Sequence, residues 1–278
     1  MQLVPTQTTR SSELAVQPRQ RWYAAVATYV WSGWGAVASL LAALAVWEWA
    51  ASRLGPLALP DPLAALQSLR ELMAEGSLWP DLAATARRAL IGLVLSIVTG
   101  TLAGVVAGLS ATASMAARPL VTVVLGTPPI AWLVLALLWF GSGDGTPVFT
   151  VFIATVPIVF VAALQGTRTL DVQLRDMAKV FGLPWHMTLV QVYGPHVLSY
   201  VFPAWITALG SAWKVVVMAE LLASPDGVGA ALAVARSQLD TAAALAWTGA
   251  VVGVLLLLEY AVLEPIKREF ERWREQPE

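Results

Sequence analysis

Long apolar runs separated by short polar segments make up most of the chain. A helix needs about 20 mostly apolar residues to cross a bilayer. Six runs approach that length, at approximately 33–51, 89–109, 120–140, 148–166, 201–223 and 245–263. The pattern therefore predicts an all-α, polytopic membrane protein with about six transmembrane helices and short amphipathic helices at its surface.

Two of the polar connections are long enough to contain helices of their own. Residues 57–76 carry leucines at 63, 66, 69 and 72, a helical spacing, but they are too charged to cross a membrane. We expect this helix to lie on the outer surface. Residues 224–240 have the right length for a short re-entrant or outer helix.

The longest polar interruption in the second half of the chain is the segment 168–195. Within it, four apolar side chains recur at i, i+3, i+4 and i+7; they are Leu174, Met177, Ala178 and Phe181. This spacing predicts a short amphipathic helix that Gly182 ends and Pro184 keeps from restarting. Such a helix is typical of a docking element, although a solvated loop helix has the same pattern.

Composition supports a membrane protein. Only 13% of the residues are charged, 58% are hydrophobic and the mean hydropathy is +0.68, whereas soluble domains average about 25% charged residues. The net charge of −1 gives no reason to expect a nucleic-acid partner. The chain contains no cysteine, so it has neither a disulfide nor a thiolate nucleophile.

The positions of lysine and arginine predict the orientation. Given six spans, eleven of these residues lie on the side of the two termini and five on the other side. The excess places both termini, and segment 168–195, in the cytoplasm. We divide the chain into a mobile cytoplasmic tail (1–30), a transmembrane domain (31–265) and a cytoplasmic C-terminal tail (266–278). We expect no cleavable signal peptide before the first span.

Glycines and prolines in two of the spans suggest specific roles. Gly100, Gly104 and Gly108 form a small-xxx-small series, which lets another helix approach closely. Pro128 and Pro129 interrupt the third span, and such a break is tolerated only where protein or a water-filled cavity satisfies the backbone. The two prolines are thus candidate pathway residues, with a kink needed only for packing as the alternative.

Lys214 lies near the middle of the fifth predicted span, where a lysine costs about 2.5–3.5 kcal/mol. It is a candidate for the lining of a pathway that favours an anion; the alternative is an ion pair with a carboxylate of another span or subunit. Trp213 and Glu220 share a different face of the same helix. For Glu220 a structural hydrogen bond to the outer loop is favoured over gating.

Several kinds of site are excluded. A nucleotide-binding P-loop needs Gly-Lys-Ser or Gly-Lys-Thr, but the three lysines are followed by Val, Val and Arg. His186 and His196 are isolated, so no metal site is predicted.

Residues in segment 168–195 resemble the EAA loop of ABC importer permeases. The matching positions are Asp176-Met177-Ala178, Gly182, Val192 and Pro195. Asp replaces Glu, Met replaces the first Ala, Val replaces Ile and Gly194 replaces Leu. Further stretches resemble the nitrate, sulfonate and taurine permeases; they are Leu59-Pro60-Asp61-Pro62, Thr127-Pro128-Pro129-Ile130-Ala131-Trp132, Trp139-Phe140-Gly141, Ala219-Glu220 and Gly227-Val228-Gly229.

The resemblance, which covers roughly residues 35–270, implies the permease subunit of an ATP-driven importer of a small anionic solute such as nitrate, a sulfonate or taurine. It implies a bacterial inner membrane, lipid contact, a pair of ATPase subunits, a second and identical permease, and an extracytoplasmic binding protein. ATP and Mg would be held by the ATPase, and no cofactor by this chain. The coupling residues would be Asp176, Met177, Ala178, Phe181, Gly182 and Pro195. Candidate pathway residues are Pro128, Pro129, Trp132, Trp213, Lys214 and Glu220.

Two other classes stay open. A secondary transporter commonly has two related halves, and no convincing internal repeat is present. A membrane-embedded enzyme would need a nucleophile–base pair, and none is evident.

Overall fold

The computed structural model describes residues 19–265, and these are helical almost throughout, with no strand among them. The predicted all-α class is confirmed. Within the described range, five helices are long and apolar enough to cross a membrane, and a sixth candidate is a pair of shorter helices bent at a break. The chain divides into two compact units, Met1–Pro62 and Leu63–Glu278.

The first unit contains one long helix, α1 (Arg19–Leu54), whose apolar part is Val37–Leu54. This helix begins at Arg19, within the segment 1–30 that the sequence analysis predicts as a tail. Residues 1–18 and the predicted C-terminal tail, 266–278, lie outside the described residues. After α1 the chain turns, and Trp47 Nε1 donates a hydrogen bond to the carbonyl oxygen of Pro60 at 3.0 Å.

From Pro62 onward, the described chain forms ten further α-helices and two π-helical segments. The α-helices are α2 (Pro62–Ala74), α3 (Leu78–Gly108), α4 (Ala111–Gly126), α5 (Pro129–Phe140), α6 (Gly145–Arg168), α7 (Val172–Val180), α8 (Trp185–Met187), α9 (Gly194–Ala223), α10 (Val228–Ser237) and α11 (Thr241–Leu257). The π-helical segments are Thr188–Tyr193, before α9, and Leu258–Leu263, after α11.

Both predicted surface helices are present, as α2 and α10. On α2, Leu69 and Leu72 pack against a cluster that includes Leu78 and Trp247. Leu63 and Leu66 lie in the same predicted leucine row but are more than half exposed. Only one end of that row is therefore covered by the rest of the described chain.

The fifth predicted span begins earlier than expected. Helical structure is continuous from Trp185 to Ala223, 39 residues, instead of starting near residue 201. Pro184 does not keep the helix from restarting; it precedes α8 with φ −61° and ψ 151°. A proline fits there because the first N–H groups of a helix have no intrahelical acceptor. The second half of the predicted loop 168–195 is thus the beginning of this helical run.

Helices α3, α6 and α9 pack against one another and form the centre of the second unit. Small residues along α3 allow a close approach to α6. A Cβ added at Gly104 would lie 2.5 Å from the carbonyl oxygen of Phe160, and one at Gly108 would lie 2.5 Å from Thr167 Cβ. At Gly100 the nearest atom would be 3.0 Å away. The structure therefore places all three predicted packing glycines against α6.

The same row continues toward the start of α3 with two residues that the sequence analysis missed. A Cβ at Gly92 would lie 2.7 Å from Val151 Cγ1. Ser96 Oγ donates to the carbonyl oxygen of Phe152 at 3.0 Å and accepts a hydrogen bond from Thr155 Oγ1 at 2.6 Å. Small size and interhelical hydrogen bonding thus act together along this contact.

A buried arginine joins four parts of the chain near the first turns of α3. Arg88 is 1% exposed. Its Nη1 donates to Glu220 Oε1 on α9 and to the carbonyl oxygen of Asp226, both at 2.8 Å. Its Nε donates to Asp144 Oδ1 at 2.6 Å, and Nη2 bonds the Asp226 carboxylate. We call Arg88, Asp144, Glu220 and Asp226 the Arg88 cluster.

Further hydrogen bonds complete the surroundings of Glu220, whose side chain is fully buried. Its Oε2 accepts from Thr85 Oγ1 at 2.7 Å and from the backbone N–H of Gly229 at 3.2 Å. Thr85 Oγ1 in turn accepts from the N–H of Val228 at 3.0 Å. Each carboxylate oxygen of Glu220 therefore has partners, as a buried charge requires.

We predict that Gly104→Leu destabilises the helix bundle by about 1–3 kcal/mol, because its side chain would overlap the backbone of α6. The matched control is Gly249→Leu on α11, where a Cβ meets no described heavy atom within 4 Å. Thermal unfolding of the purified protein in detergent compares the two. Equal melting temperatures for both variants would contradict the close α3–α6 contact.

Two adjacent arginines provide a second test. Arg88→Gln leaves the buried Glu220 carboxylate without its cation, and we expect a loss of about 3–5 kcal/mol. Arg87 also pairs with Asp144, but its side chain is 57% exposed, so Arg87→Gln is expected to cost about 0–1 kcal/mol. Adding Glu220→Gln to Arg88→Gln should recover part of the loss. Thermal unfolding that ranks Arg87→Gln as the more harmful change would refute the role given to Arg88.

Candidate functional site

The helix predicted in segment 168–195 is α7, and it has its own start and stop signals. The N–H of Gln173 donates to Asp171 Oδ1 at 2.9 Å, which caps the first turn. At the other end Gly182 has φ +64°, and the N–H of Leu183 bonds the carbonyl oxygen of Ala178 at 3.0 Å. This is the Schellman arrangement, in which a left-handed residue, usually glycine, ends a helix.

All but one of the described side chains of α7 are exposed. Ala178 is 2% exposed, while the other members of the predicted apolar stripe remain open. We call five exposed apolar residues the α7 patch; they are Leu174, Met177, Val180, Phe181 and Trp185. Asp176 is exposed on the same helix. An apolar patch of this kind on a structured surface marks an interaction site.

Helix α7 is in contact with the π-helical segment Thr188–Tyr193, which leads directly into α9. Pro195 stands in the first turn of α9 and is exposed. Two of the six predicted coupling residues, Ala178 and Gly182, therefore shape α7, three are exposed on it or next to it, and Pro195 lies where the following helix begins.

The third predicted span is not one helix. Helices α4 and α5 meet at 91°, with Thr127 and Pro128 between them. α5 has 12 residues, about 18 Å at 1.5 Å per residue, which is shorter than the roughly 30 Å hydrocarbon core. The interruption predicted at Pro128 and Pro129 is therefore present, as a 91° bend between two helices. Its cause is the proline pair, because Pro129 disfavours helical backbone at Pro128 and neither residue has an N–H to donate.

Three candidate pathway residues lie at this break or just after it. Pro128 and Pro129 are exposed. Trp132 is half-buried, and its Nε1 has no hydrogen-bond partner among the described residues.

Lys214 is exposed on a face of α9 that the described chain leaves open. Pro203 and Thr207 on this face are also exposed, and a Cβ at Gly210 would meet no described heavy atom within 4 Å. Among residues 19–265, no carboxylate oxygen lies within 4 Å of Lys214 Nζ. An ion pair with another described span is therefore not formed, and a carboxylate of a second subunit stays an alternative.

The other two candidates on α9 are interior. Trp213 is 3% exposed, and its Nε1 donates to the carbonyl oxygen of Val251 at 3.1 Å, which links α9 to α11. Glu220 belongs to the Arg88 cluster and bonds Gly229, in the segment that follows α9. Both side chains are buried in this conformation. Of the three candidate pathway residues on α9, only Lys214 is exposed on the open face.

The sequence analysis missed the partners of Glu220. It singled out neither Arg88 nor Asp144. One signal was available: a carboxylate near the end of an apolar span needs a cation, and Lys214 is on a different face of the same helix. Within the described range, no group of three or more His, Asp or Glu residues could hold a metal ion.

Comparison with known proteins gives one family match and several relatives. The model of the family described as binding-protein-dependent transport system inner membrane component matches residues 96–272. The taurine transport system permease protein TauC of Escherichia coli is 28% identical over 245 residues, 85% of this chain and 88% of that protein. The putative aliphatic sulfonates transport permease protein SsuC of Bacillus subtilis is 29% identical over 218 residues, 78% of each chain.

A third relative is the nitrate import permease protein NrtB of Synechococcus elongatus. It is 28% identical over 143 residues, 51% of each chain. The family match covers more than half of the chain and includes α6, α7 and α9. The helices that pack as a bundle, the self-contained α7 and this match lead to one conclusion: the chain belongs to the binding-protein-dependent transport system inner membrane components and is a transport permease.

Proposed function

We propose that this chain is the membrane-spanning subunit of an ATP-driven importer and receives mechanical work through α7. The observation that carries the proposal is the α7 patch. A nine-residue helix with its own caps presents apolar side chains that nothing in the described chain covers. A groove in a partner ATPase subunit would cover them, as amphipathic helices are bound in apolar grooves.

The source of energy lies in another chain. None of the three lysines in the sequence belongs to a Gly-Lys-Ser or Gly-Lys-Thr motif, so the protein has no P-loop of that kind. A pair of ATPase subunits would bind ATP and Mg. Both termini and α7 would face the cytoplasm, in line with the excess of lysine and arginine on that side.

Contacts within the chain connect α7 to α9, so that movement of α7 by an ATPase subunit would be passed on to α9. α7 packs on the π-helical segment before α9, and α9 continues to the Arg88 cluster at its far end. A displacement at α7 would therefore shift the start of α9 relative to a fixed far end. Packed helices respond to such shifts by changing between discrete arrangements, which would open the pathway alternately to the two sides.

The transported solute would be a small molecule or ion that carries an anionic sulfonate-type or nitrate group. The relatives are named for taurine, aliphatic sulfonates and nitrate, and Lys214 places a cation on the open face of α9. A second, identical permease would supply the opposite wall, and the prolines between α4 and α5 would line the cavity. An extracytoplasmic binding protein would deliver the solute at the end where α10 lies.

We predict that Gly182→Asp abolishes uptake and removes stimulation of the ATPase, while the protein still reaches the membrane. The positive φ of Gly182 disfavours any side chain, and an acidic group beside the α7 patch would oppose docking. The matched control is Gly76→Asp, since Gly76 also has a positive φ and open surroundings. The comparison measures solute uptake and ATP hydrolysis in vesicles.

If Gly182→Asp transports normally, the coupling role of α7 is refuted. If Gly76→Asp loses transport to the same extent, the loss reflects impaired folding, and the coupling role of α7 is not supported.

A separate prediction concerns Lys214. Lys214→Met should reduce uptake of an anionic solute by about tenfold or more, because removing one charge-assisted contact costs about 1.5–3 kcal/mol. Lys214→Arg keeps the charge and should retain most of the uptake. Radiolabelled taurine and nitrate are suitable solutes for the measurement. Full uptake with unchanged preference in Lys214→Met would exclude Lys214 from the pathway.

A further inference from the structure

A cavity of about 650 Å³ opens between α4 and the last turns of α6, and its lining includes neither Lys214 nor any residue of the α7 patch. Its polar wall contains Arg118, Gln165 and Arg168, with the hydroxyls of Thr122 and Thr169 beside them. The remaining wall is apolar and includes Phe160 and Leu164. The cavity thus has two arginine cations on one part of its wall and apolar side chains on the rest. Its lining contains no acidic residue.

The two arginines lack counter-charges within the described chain. Among residues 19–265, no carboxylate oxygen lies within 4 Å of either guanidinium. Arg168 Nη1 donates to Ser114 Oγ, which is neutral, and no described group accepts from the Arg118 side chain. Two guanidinium groups that face one cavity repel each other unless an anion lies between them.

The remaining polar atoms define which donors the cavity offers. Thr122 Oγ1 donates to the carbonyl oxygen of Arg118 at 2.9 Å, and Thr169 Oγ1 donates to that of Gln165 at 2.8 Å. Both hydroxyl hydrogens are thus directed into the helices. The donors left for a ligand are the two guanidinium groups and the Gln165 amide, all suited to anionic oxygens.

The position of the cavity along the membrane normal can be inferred from the length of α6. Its 24 residues extend about 36 Å at 1.5 Å per residue, which exceeds the roughly 30 Å hydrocarbon core. Arg168 is the last residue of this helix, so its guanidinium would lie near the lipid headgroups, where anionic phosphate groups are concentrated. Leu164 and Phe160, about one and two turns earlier, would then lie at the level of the acyl chains.

We propose that this cavity is a binding site for a phosphate- or sulfonate-type oxyanion, held between Arg118 and Arg168 with Gln165. Guanidinium groups bind such anions through paired N–H donors. The oxyanion is either the headgroup of an acidic phospholipid, with its acyl chain along the apolar wall, or a free oxyanion from solution. The site is distinct from the proposed pathway and does not depend on the identity of the transported solute.

The test uses the full-length protein carrying Arg118→Gln and Arg168→Gln together. The matched control carries Arg70→Gln and Arg236→Gln, which remove two exposed arginines from α2 and α10. A third protein, with Arg118→Lys and Arg168→Lys, keeps the charge. All three are compared by thermal unfolding first, so that a folding defect is recognised; the control and lysine proteins are expected to match the unchanged chain.

Two arms separate the sources of the anion. In the first, each protein is reconstituted in phosphatidylcholine vesicles that contain about one-fifth phosphatidylglycerol, and native mass spectrometry counts the phosphatidylglycerol retained after extraction. In the second, each protein is placed in phosphatidylcholine alone and titrated with radiolabelled inorganic sulfate. A Lys214→Met background in both arms removes any contribution from the pathway.

We expect the glutamine pair to bind about tenfold less than the control pair in at least one arm, and the lysine pair to retain more than the glutamine pair. A loss with phosphatidylglycerol identifies a headgroup site, and a loss with sulfate identifies a site for a free oxyanion. If the glutamine pair retains both probes as tightly as the control pair, the proposal is overturned.

Discussion

The burial of one positive charge determines how the second unit is held together. The side chain of Arg88 is almost completely buried, so its guanidinium must place its donors on protein oxygens. It does so with Glu220, Asp144 and Asp226, residues that the sequence separates by as many as 138 positions. Each of these carboxylates belongs to a different segment. Glu220 lies near the end of α9, Asp144 in the turn before α6 and Asp226 in the segment after α9. These three segments and α3 are therefore joined through one buried guanidinium, and loss of Arg88 or Glu220 would leave the other charge buried without its main partner.

This constraint gives the two ends of α9 different properties. At the far end, the Arg88 cluster joins α9 to α3, to the turn before α6 and to the segment around Asp226. At the near end, α9 begins with a π-helical segment, and such segments are frequent at functional sites. There it packs against α7, whose apolar surface is not covered by the described chain. A helix fixed at one end and attached to a docking element at the other can transmit work into a pathway. Lys214 lies on its open face, between the two.

Features set by local chemistry could be predicted from the sequence, and features set by long-range contacts could not. Composition indicated the spans, the spacing of Gly100, Gly104 and Gly108 indicated a helix contact, and Gly182 indicated the end of α7. The proline pair indicated that the helix is interrupted. It did not indicate the 91° angle between α4 and α5, because that angle depends on which other helices each of the two packs against. Pro184 was interpreted as a stop because the sequence does not show that a first-turn position follows it. Arg88 was missed because its partners converge only in the fold.

The most direct test of coupling through α7 asks whether α7 faces the cytoplasm and touches an ATPase chain. The protein contains no cysteine, so single cysteines can be introduced at Phe181, on the α7 patch, and at Leu239, beyond the other end of α9. Both side chains are exposed. In intact cells, a membrane-impermeant maleimide should label Leu239→Cys and not Phe181→Cys, whereas in inverted vesicles Phe181→Cys should cross-link to a co-purifying ATPase subunit. Labelling of Phe181→Cys from outside the cell, with no cross-link to an ATPase, would contradict the account.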